Sequence, residues 1–351
     1  METSKPYIIA GPCSAESREQ LAATAEALSA LPEVDAIRCG VWKPRTRPGG
    51  FEGFGAEALQ WIQELKQERP QLRFACEVAR PEHAELALRY GMDILWIGAR
   101  TTANPFMVQE LTEALRGAKV RMLVKNAPSP DLSLWMGAIE RCRKVGLTDV
   151  MAVLRGFDVF KNASYRNNPL WEIPIELRHR MPETPMLCDP SHIAGRHEPI
   201  PELCQTAMDL GFEGLMVEVH PHPEEAMTDA SQQITPAELE RLLRELTVRR
   251  TDRIDAGREL RLFREQIDHL DKQMIQLLAA RLDLVRQIAA VKAQNGMTAF
   301  QPKRWEELQR QRTMQAQEMS LDPGFVKELF EKIHAESIRI QEQEISNKKK
   351  I

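Results

Sequence analysis

The sequence of 351 residues contains no apolar run approaching the roughly 18 residues of a membrane-spanning helix. Its first residues, METSKPYIIAGP, lack the charged-then-apolar order of a secretory signal. It also lacks a surplus of one charge: 47 Lys and Arg against 51 Asp and Glu leave a formal net charge of -4. Neither a nucleic-acid partner nor a membrane partner is expected from that balance, and small anions would need local clusters of Lys and Arg. The 6 cysteines, at 13, 39, 76, 142, 188 and 204, show no paired spacing, so a disulfide framework is excluded and a reducing, cytoplasmic setting is expected. Glycine almost disappears after TVRRTDRIDAG, where only Gly296 and Gly324 remain.

What is present divides into two kinds of sequence. From Tyr7 the runs YIIAGPC, AIRCGVWK, RFACEVA, ILWIGAR, RMLVKNA, VMAVLRG, PMLCDPS and GLMVEVH alternate with amphipathic stretches such as LAATAEALSAL and EALQWIQELKQ. Continuous rather than alternating apolar runs are those of parallel strands covered on both faces, and eight of them predict a (β/α)8 TIM barrel over residues 1–250. Thr235, Pro236 and Glu238 supply an N-cap, a first-turn proline and a capping box for a closing helix that should end near Val248. Residues 251–259 read as a polar linker, and 260–351 as an all-α domain. Its first helix carries Phe263, Ile267, Leu270, Met274, Leu277, Arg281, Leu284, Ile288 and Val291 at three-and-four spacing until Asn295-Gly296. Such a helix, roughly 45 Å long at ~1.5 Å per residue, cannot bury its own stripe and is expected to find a partner in a second chain.

In a (β/α)8 barrel, reactive side chains gather where strands end. Here the run ends carry Cys13, Lys43, Glu77, Arg100, Lys125, Arg155, Asp189 with His192, and Glu218 with His220. Any one of them could be a solvated loop residue; together they sort by chemistry. Arg38, Lys43, Arg45, Arg100, Lys125 and Arg155 would form a cationic pocket for phosphate and carboxylate groups. Cys13, His192, Glu218 and Asp229 combine a thiolate, an imidazole and two carboxylates, a set compatible with a divalent metal ion such as Mn, Co, Zn or Fe. Cys13 could instead be a nucleophile served by His192, or an inert buried thiol. The neighbouring carboxylates would raise its pKa unless a cation intervened, which favours the ligand.

GPCS at 11–14, RCGVWKPRTRP at 38–48, GARTT at 98–102, VKN at 124–126, LRG at 154–156, CDPSH at 188–192 and VEVHPHPEEAMTD at 217–229 resemble 3-deoxy-D-arabino-heptulosonate-7-phosphate (DAHP) synthase of the type I beta group. The KPRT segment distinguishes that branch from its sister family, the 3-deoxy-octulosonate 8-phosphate synthases. The resemblance implies a metal-dependent condensation of phosphoenolpyruvate with erythrose 4-phosphate. It implies Cys13, His192, Glu218 and Asp229 as metal ligands, Arg38, Lys43, Arg100, Lys125 and Arg155 around phosphoenolpyruvate, and Arg45 and Thr46 at the erythrose phosphate end. Lys43 and Lys125 are the residues expected to act in the reaction itself. An aldolase forming a Schiff base on Lys125 is the alternative, separable by borohydride trapping.

The tail, with LFREQIDHLDKQMIQLLAARLDLVRQIAAVKAQNG followed by RWEELQRQR and ESIRIQEQ, is similar to the AroQ-type chorismate mutases, which are intertwined helical dimers. The resemblance implies rearrangement of chorismate to prephenate, with Arg281, Lys292 and Gln341 acting and Arg264, Arg304 and Ser337 binding. An arginine within an apolar stripe then has a reason, since chorismate is a dianion. The family's arginine-glutamate pair reads Arg304-Trp305 here, and an acidic position upstream reads Gln301. A homo-oligomer with an even number of subunits follows from such a dimer; the other reading of the tail is a dimerising or ligand-sensing module. With the first strand at Tyr7 no separate sensor is expected ahead of the barrel. The tail is therefore the expected allosteric sensor, with prephenate as inhibitor.

Overall fold

The computed structural model describes residues 5–43, 49–159, 165–248 and 257–348, and the chain divides into two units, Met1–Thr251 and Asp252–Ile351. In the first unit all eight apolar runs form strands: β1 (Tyr7–Gly11), β2 (Val34–Arg38), β3 (Phe74–Val78), β4 (Ile94–Ile97), β5 (Arg121–Lys125), β6 (Val150–Leu154), β7 (Met186–Cys188) and β8 (Gly214–Glu218). They close into one parallel barrel in chain order, β8 pairing with β1 from Tyr7↔Gly214 to Gly11↔Glu218. Helices follow the strands because parallel neighbours need a crossover, and polar caps start several of them. Ser17 accepts from the Gln20 N–H, Asn104 from Phe106 and Met107, and Asp131 from Ser133 and Leu134. Each such cap stabilises its helix by about 1 kcal/mol. The capping box of Thr235 and Glu238 forms as the sequence predicts; its helix, Pro236–Glu245, stops short of Val248 because Leu246 turns extended.

Side chains alternate across each strand, and that alternation builds the site. Ile9, Ala36, Ala75, Ile94, Trp96, Leu123, Met151, Val153, Leu187 and Met216 fill the barrel interior, the indole of Trp96 offset by the small Ala36 and Ala75. Outward residues such as Ile8, Ile37, Cys76, Val124 and Ala152 pack under the helices. One step of two residues beyond the interior layer stand Arg38, Glu77, Lys125, Arg155, Asp189 and Glu218. The inward parity that fills the barrel thus carries charged groups to its C-terminal mouth. After β8 the chain makes two short 3₁₀ turns, Pro223–Glu225 and Ala230–Gln232, and between them Asp229 adopts φ 49°, a left-handed conformation aspartate tolerates.

The second unit is three helices, Gly257–Gln294, Pro302–Glu318 and Pro323–Lys348, the first two both packing on the third. The first begins at Gly257, so it takes up the end of the segment expected as linker; residues 249–256 lie outside the described ones. Its end at Gln294, with Gly296 at φ 63°, fits the expected stop. The buried face of that helix is Val285, Ala289 and Lys292, whereas the apolar stripe is open to solvent within one chain, Leu277 being 70% exposed. Among the described residues no helix is long and apolar enough to cross a membrane.

Gly11 sits at the end of β1 with φ 148°, where a Cβ would lie 2.2 Å from the carbonyl oxygen of Arg38. That atom is backbone and cannot swing away. Gly11→Ala is expected to lower barrel stability by roughly 2–3 kcal/mol, read as a fall in the urea unfolding midpoint. An unchanged midpoint would show that β1 and β2 can separate freely at the mouth.

Candidate active site

At the mouth of the barrel two buried carboxylates are surrounded by cations. Asp189 Oδ2 lies 2.6 Å from Lys125 Nζ, 2.8 Å from His192 Nδ1 and 3.9 Å from Arg38 Nη1. Its other oxygen accepts the backbone N–H of His192, capping the short helix Pro190–Ala194. Burial alone would raise the Asp189 carboxyl, but His192, Lys125 and Arg38 outweigh it and hold it well below the usual carboxylate range. Glu218 accepts from Arg38 Nη2 at 2.9 Å and from Gln232 Nε2 at 2.6 Å. Burial opposes its ionisation too, and His192 and Arg38 again prevail, so its pKa is lowered. Arg38, 1% exposed, lies beneath the site with its guanidinium 5.1 Å from the centre of the Trp96 ring.

Above this floor is a pocket of about 610 Å³ into which Lys43, Arg100, Lys125, Arg155 and Arg166 project, with Glu77, Asp158 and Asp229 as the acids at its wall. Burial draws the Arg155 guanidinium down to about 10, which leaves it charged at neutral pH; its Nη1 donates to Asn167 Oδ1 at 2.7 Å. Burial also lowers Lys125, and the Asp189 carboxylate opposes that. Of the cations expected to meet substrate, Lys43, Arg100, Lys125 and Arg155 line the pocket, while Arg38 supports it from below. Arg45 and Thr46 lie outside the described residues.

On one side of the pocket the ligand atoms of Cys13, Glu218 and Asp229 come within 4.8 Å of one another. Cys13 Sγ donates to Asp229 Oδ2 at 3.3 Å, and Lys43 Nζ lies 2.9 Å from the same sulfur. His192, the fourth expected ligand, borders this group, with Nε2 3.8 Å from Glu218 Oε1. Burial and then the Glu218 charge push the Cys13 thiol up to about 12, so it is no nucleophile on its own. Thiolate, carboxylate and imidazole are donors a divalent transition metal accepts, so the donor set gathered here fits such an ion.

Sequence reasoning passes over three parts of this site. Arg166, in the loop after β6, donates to Asp229 Oδ1 at 2.9 Å and Gln232 Oε1 at 2.8 Å and outweighs burial to lower the Asp229 pKa. Gln233 Oε1 accepts the Cys13 N–H at 3.0 Å. Asp189 stands out in sequence only as a strand-end acid, although its place three residues before His192 is the spacing of a helix cap.

In the tail, Arg281 Nη1 donates to Ser337 Oγ at 2.7 Å, Gln341 Nε2 donates to the Ser337 carbonyl at 3.2 Å, and Lys292 Nζ donates to the Ala299 carbonyl at 2.5 Å. Ser337 and Gln341, like Lys292, are buried. Arg304 pairs with Glu307 at 3.1 Å. Arg264 is exposed and, seventeen residues before Arg281 on the same helix, is about 25 Å away at ~1.5 Å per residue. Trp305 stacks on His334 with ring centres 4.0 Å apart.

Residues 2–253 match the DAHP synthetase I family, and residues 263–342 match chorismate mutase type II. Phospho-2-dehydro-3-deoxyheptonate aldolase of Thermotoga maritima is 32% identical over 227 residues, covering 65% of this chain and 64% of its own length. The chain thus spans somewhat less than two thirds of that relative. A 2-dehydro-3-deoxyphosphooctonate aldolase of Rhodopseudomonas palustris is 27% identical over 263 residues, 68% of this chain and 86% of its own. A crystal structure of the DAHP synthase of Thermotoga maritima superposes with a TM-score of 0.61 at 29% identity, covering 69% of this chain and 68% of that one.

Asp189→Asn keeps the shape of the buried acid and removes the charge that Lys125 and Arg38 share. Breaking a buried pair on one side costs about 3–5 kcal/mol, so a matching fall in barrel stability is expected in urea unfolding. A loss below about 1 kcal/mol would show that Glu218 alone balances those cations.

Proposed function

Because the chain belongs to the DAHP synthetase I family, we propose that its barrel condenses phosphoenolpyruvate with erythrose 4-phosphate to give DAHP and phosphate, and that its tail rearranges chorismate to prephenate. The observation that carries the first reading is the thiol–carboxylate cluster of Cys13, Glu218 and Asp229 at the edge of a pocket dominated by Lys and Arg. Lys125, Arg100 and Arg155 bind the phosphate and carboxylate of phosphoenolpyruvate, and Arg45 and Thr46 the phosphate of the second substrate. Two anions that repel one another in water are held together by fixed cations, which lowers the entropic and electrostatic barrier to their meeting. Cys13, His192, Glu218 and Asp229 would hold a divalent metal, which when bound would supply Lewis-acid polarisation of the aldehyde oxygen. Lys43, hydrogen-bonded to Cys13, carries a proton at Nζ between the ligand cluster and the anion pocket.

The Schiff-base alternative would use Lys125 as a neutral amine. Its pairing with Asp189 at 2.6 Å favours the ammonium instead, and borohydride with substrate should leave the chain unlabelled.

For the tail, Arg281, Lys292 and Arg304 hold the dicarboxylate and Ser337 and Gln341 complete the polar contacts; the rearrangement needs a clamped conformer and a donor at the ether oxygen, for which Lys292 and Gln341 serve. The open stripe from Phe263 to Val291 supports a homodimer, hence an even number of subunits, in which the second copy supplies Arg264. Prephenate, a late product of the barrel's own pathway, acts as inhibitor through the tail.

Chelation is expected to abolish condensation and to spare chorismate rearrangement, with activity restored to different degrees by Mn²⁺, Co²⁺ or Zn²⁺. Cys13→Ser should lose metal content and condensation together, whereas Cys204→Ser, in the outer helix Ile200–Asp209, should lose neither. Equal loss of both reactions on chelation would overturn the division of labour.

Prephenate is expected to slow condensation in initial-rate assays of the intact chain. Arg281→Ala should remove both that inhibition and mutase activity while leaving basal condensation in place. Undiminished inhibition in the variant would mean that prephenate acts elsewhere.

A further inference from the structure

The third tail helix, Pro323–Lys348, carries Phe330, His334, Ser337 and Gln341 at i, i+4, i+7 and i+11, one continuous face. Facing residues on the second helix, Pro302–Glu318, meet it at two points. Trp305 stacks on His334, and the Arg312 guanidinium lies 4.2 Å from the centre of the Phe330 ring. Arg281 of the first helix meets the same face at Ser337. Around this junction Arg312 Nη1, His334 Nε2, Gln309 Oε1 and Gln341 Oε1 are buried without a hydrogen-bond partner among the described residues. Orphaned donors and acceptors collected in one place are costly to a fold that gains nothing from them.

The charges there are equally unbalanced. Burial lowers the Arg312 pKa, and Arg281 and Arg304 lower it further; burial lowers His334, followed by Arg312, Arg281 and Lys292. Arg281 and Lys292 donate to a hydroxyl and a carbonyl, not to an acid. A junction with this surplus of cations, and with an imidazole whose protonation burial and those cations disfavour and two amide oxygens beside them, is complementary to an anion that also carries a hydroxyl group.

We propose that Arg312 and His334 are substrate-binding residues of the tail pocket, Arg312 Nη1 donating to a carboxylate of the ligand and His334 Nε2 hydrogen-bonding to its hydroxyl. This rests on the reading of the tail as a chorismate mutase. Trp305 positions the imidazole: its indole covers one face of His334, and Phe300 meets the same ring edge-on at 5.9 Å, with Nε2 buried and unpartnered among the described residues. A hydrogen-bonding role that a carboxylate at position 305 could have filled is thereby taken by a residue on the facing helix.

The test uses the full-length chain, steady-state chorismate turnover and thermal unfolding. Arg312→Leu keeps apolar contact with Phe330 and removes the guanidinium with its unpartnered Nη1. It is expected to lower kcat/KM for chorismate about 10- to 100-fold, chiefly through KM, without lowering the melting temperature of the tail. His334→Leu should raise KM, and His334→Asn, which keeps a hydrogen-bonding group, should recover most of the loss. If Arg312→Leu does not fold, Arg312→Lys decides, since it keeps charge and loses the planar fork; KM must still rise. Unchanged kcat/KM in Arg312→Leu, or in Arg312→Lys where that variant decides, overturns the proposal while an active wild type upholds the mutase reading. A wild type that neither turns over nor binds chorismate overturns the mutase reading itself, and this proposal with it.

Discussion

The carboxylate of Asp189 is fully buried, yet it is the point on which the barrel mouth is organised. Lys125, His192 and Arg38 all reach it, from β5, from the helix after β7 and from β2. Removing these charges from water costs several kcal/mol each, and the cost is offset only because the pairs are short and the remaining oxygen is occupied by a backbone N–H. Glu218 repeats the device one strand on, tied to Arg38, Gln232 and the hydroxyl of Ser191 through its own backbone N–H. Strands distant in sequence are locked in register by side chains that the substrate pocket also needs. Stability and site geometry therefore cannot be varied separately at this end of the barrel.

The same network sorts charge across the pocket. Asp189 and Glu218 neutralise the deepest cations, Arg38 and Lys125, and above them Lys43, Arg100, Arg155 and Arg166 line the pocket. To one side the balance reverses, since Asp229 and Glu218 flank a thiol that burial and Glu218 raise to about 12. Cationic side chains thus line one wall of the pocket and the thiol–carboxylate cluster lies at the other. That division suits the proposed condensation, in which an anion would be held at the first wall and an electrophile polarised at the second.

Much of this is legible in the sequence because the barrel obeys two simple periodicities. Continuous apolar runs mark strands buried on both faces, and the parity inside each run says which terminal residue points inward; Lys125, Arg155 and Glu218 follow from Leu123, Val153 and Met216. The central role of Asp189 does not follow, because any strand-end acid has the same local pattern and only the long-range approach of Arg38 and Lys125 singles it out. Arg166 and Gln232 are obscure for a related reason: they sit in βα loops, whose path over the mouth is set by turns such as the left-handed Asp229, not by hydrophobic period. In the tail, Arg281 shows in sequence as a charge inside an apolar stripe. Arg312 and His334 carry no such mark, since they lie on mostly polar helices whose inner faces are defined only by packing.

The uncovered N-terminal half of the tail stripe and the distance of Arg264 from Arg281 have one geometric cause. A helix of 38 residues runs about 57 Å at ~1.5 Å per residue, against about 26 Å for its 17-residue neighbour and about 39 Å for the 26-residue one. The third helix packs on the long one and the second helix on the third; on the long helix Val285, Ala289 and Lys292 are buried, and the described residues from Phe263 to Ala280 remain exposed. The uncovered length carries Arg264 together with the exposed apolar residues from Phe263 to Leu278. A second copy that covers the first must bring its own long helix alongside, and with it a second Arg264. In the homodimer proposed above, burial of the stripe and arrival of the second copy's Arg264 would be one event.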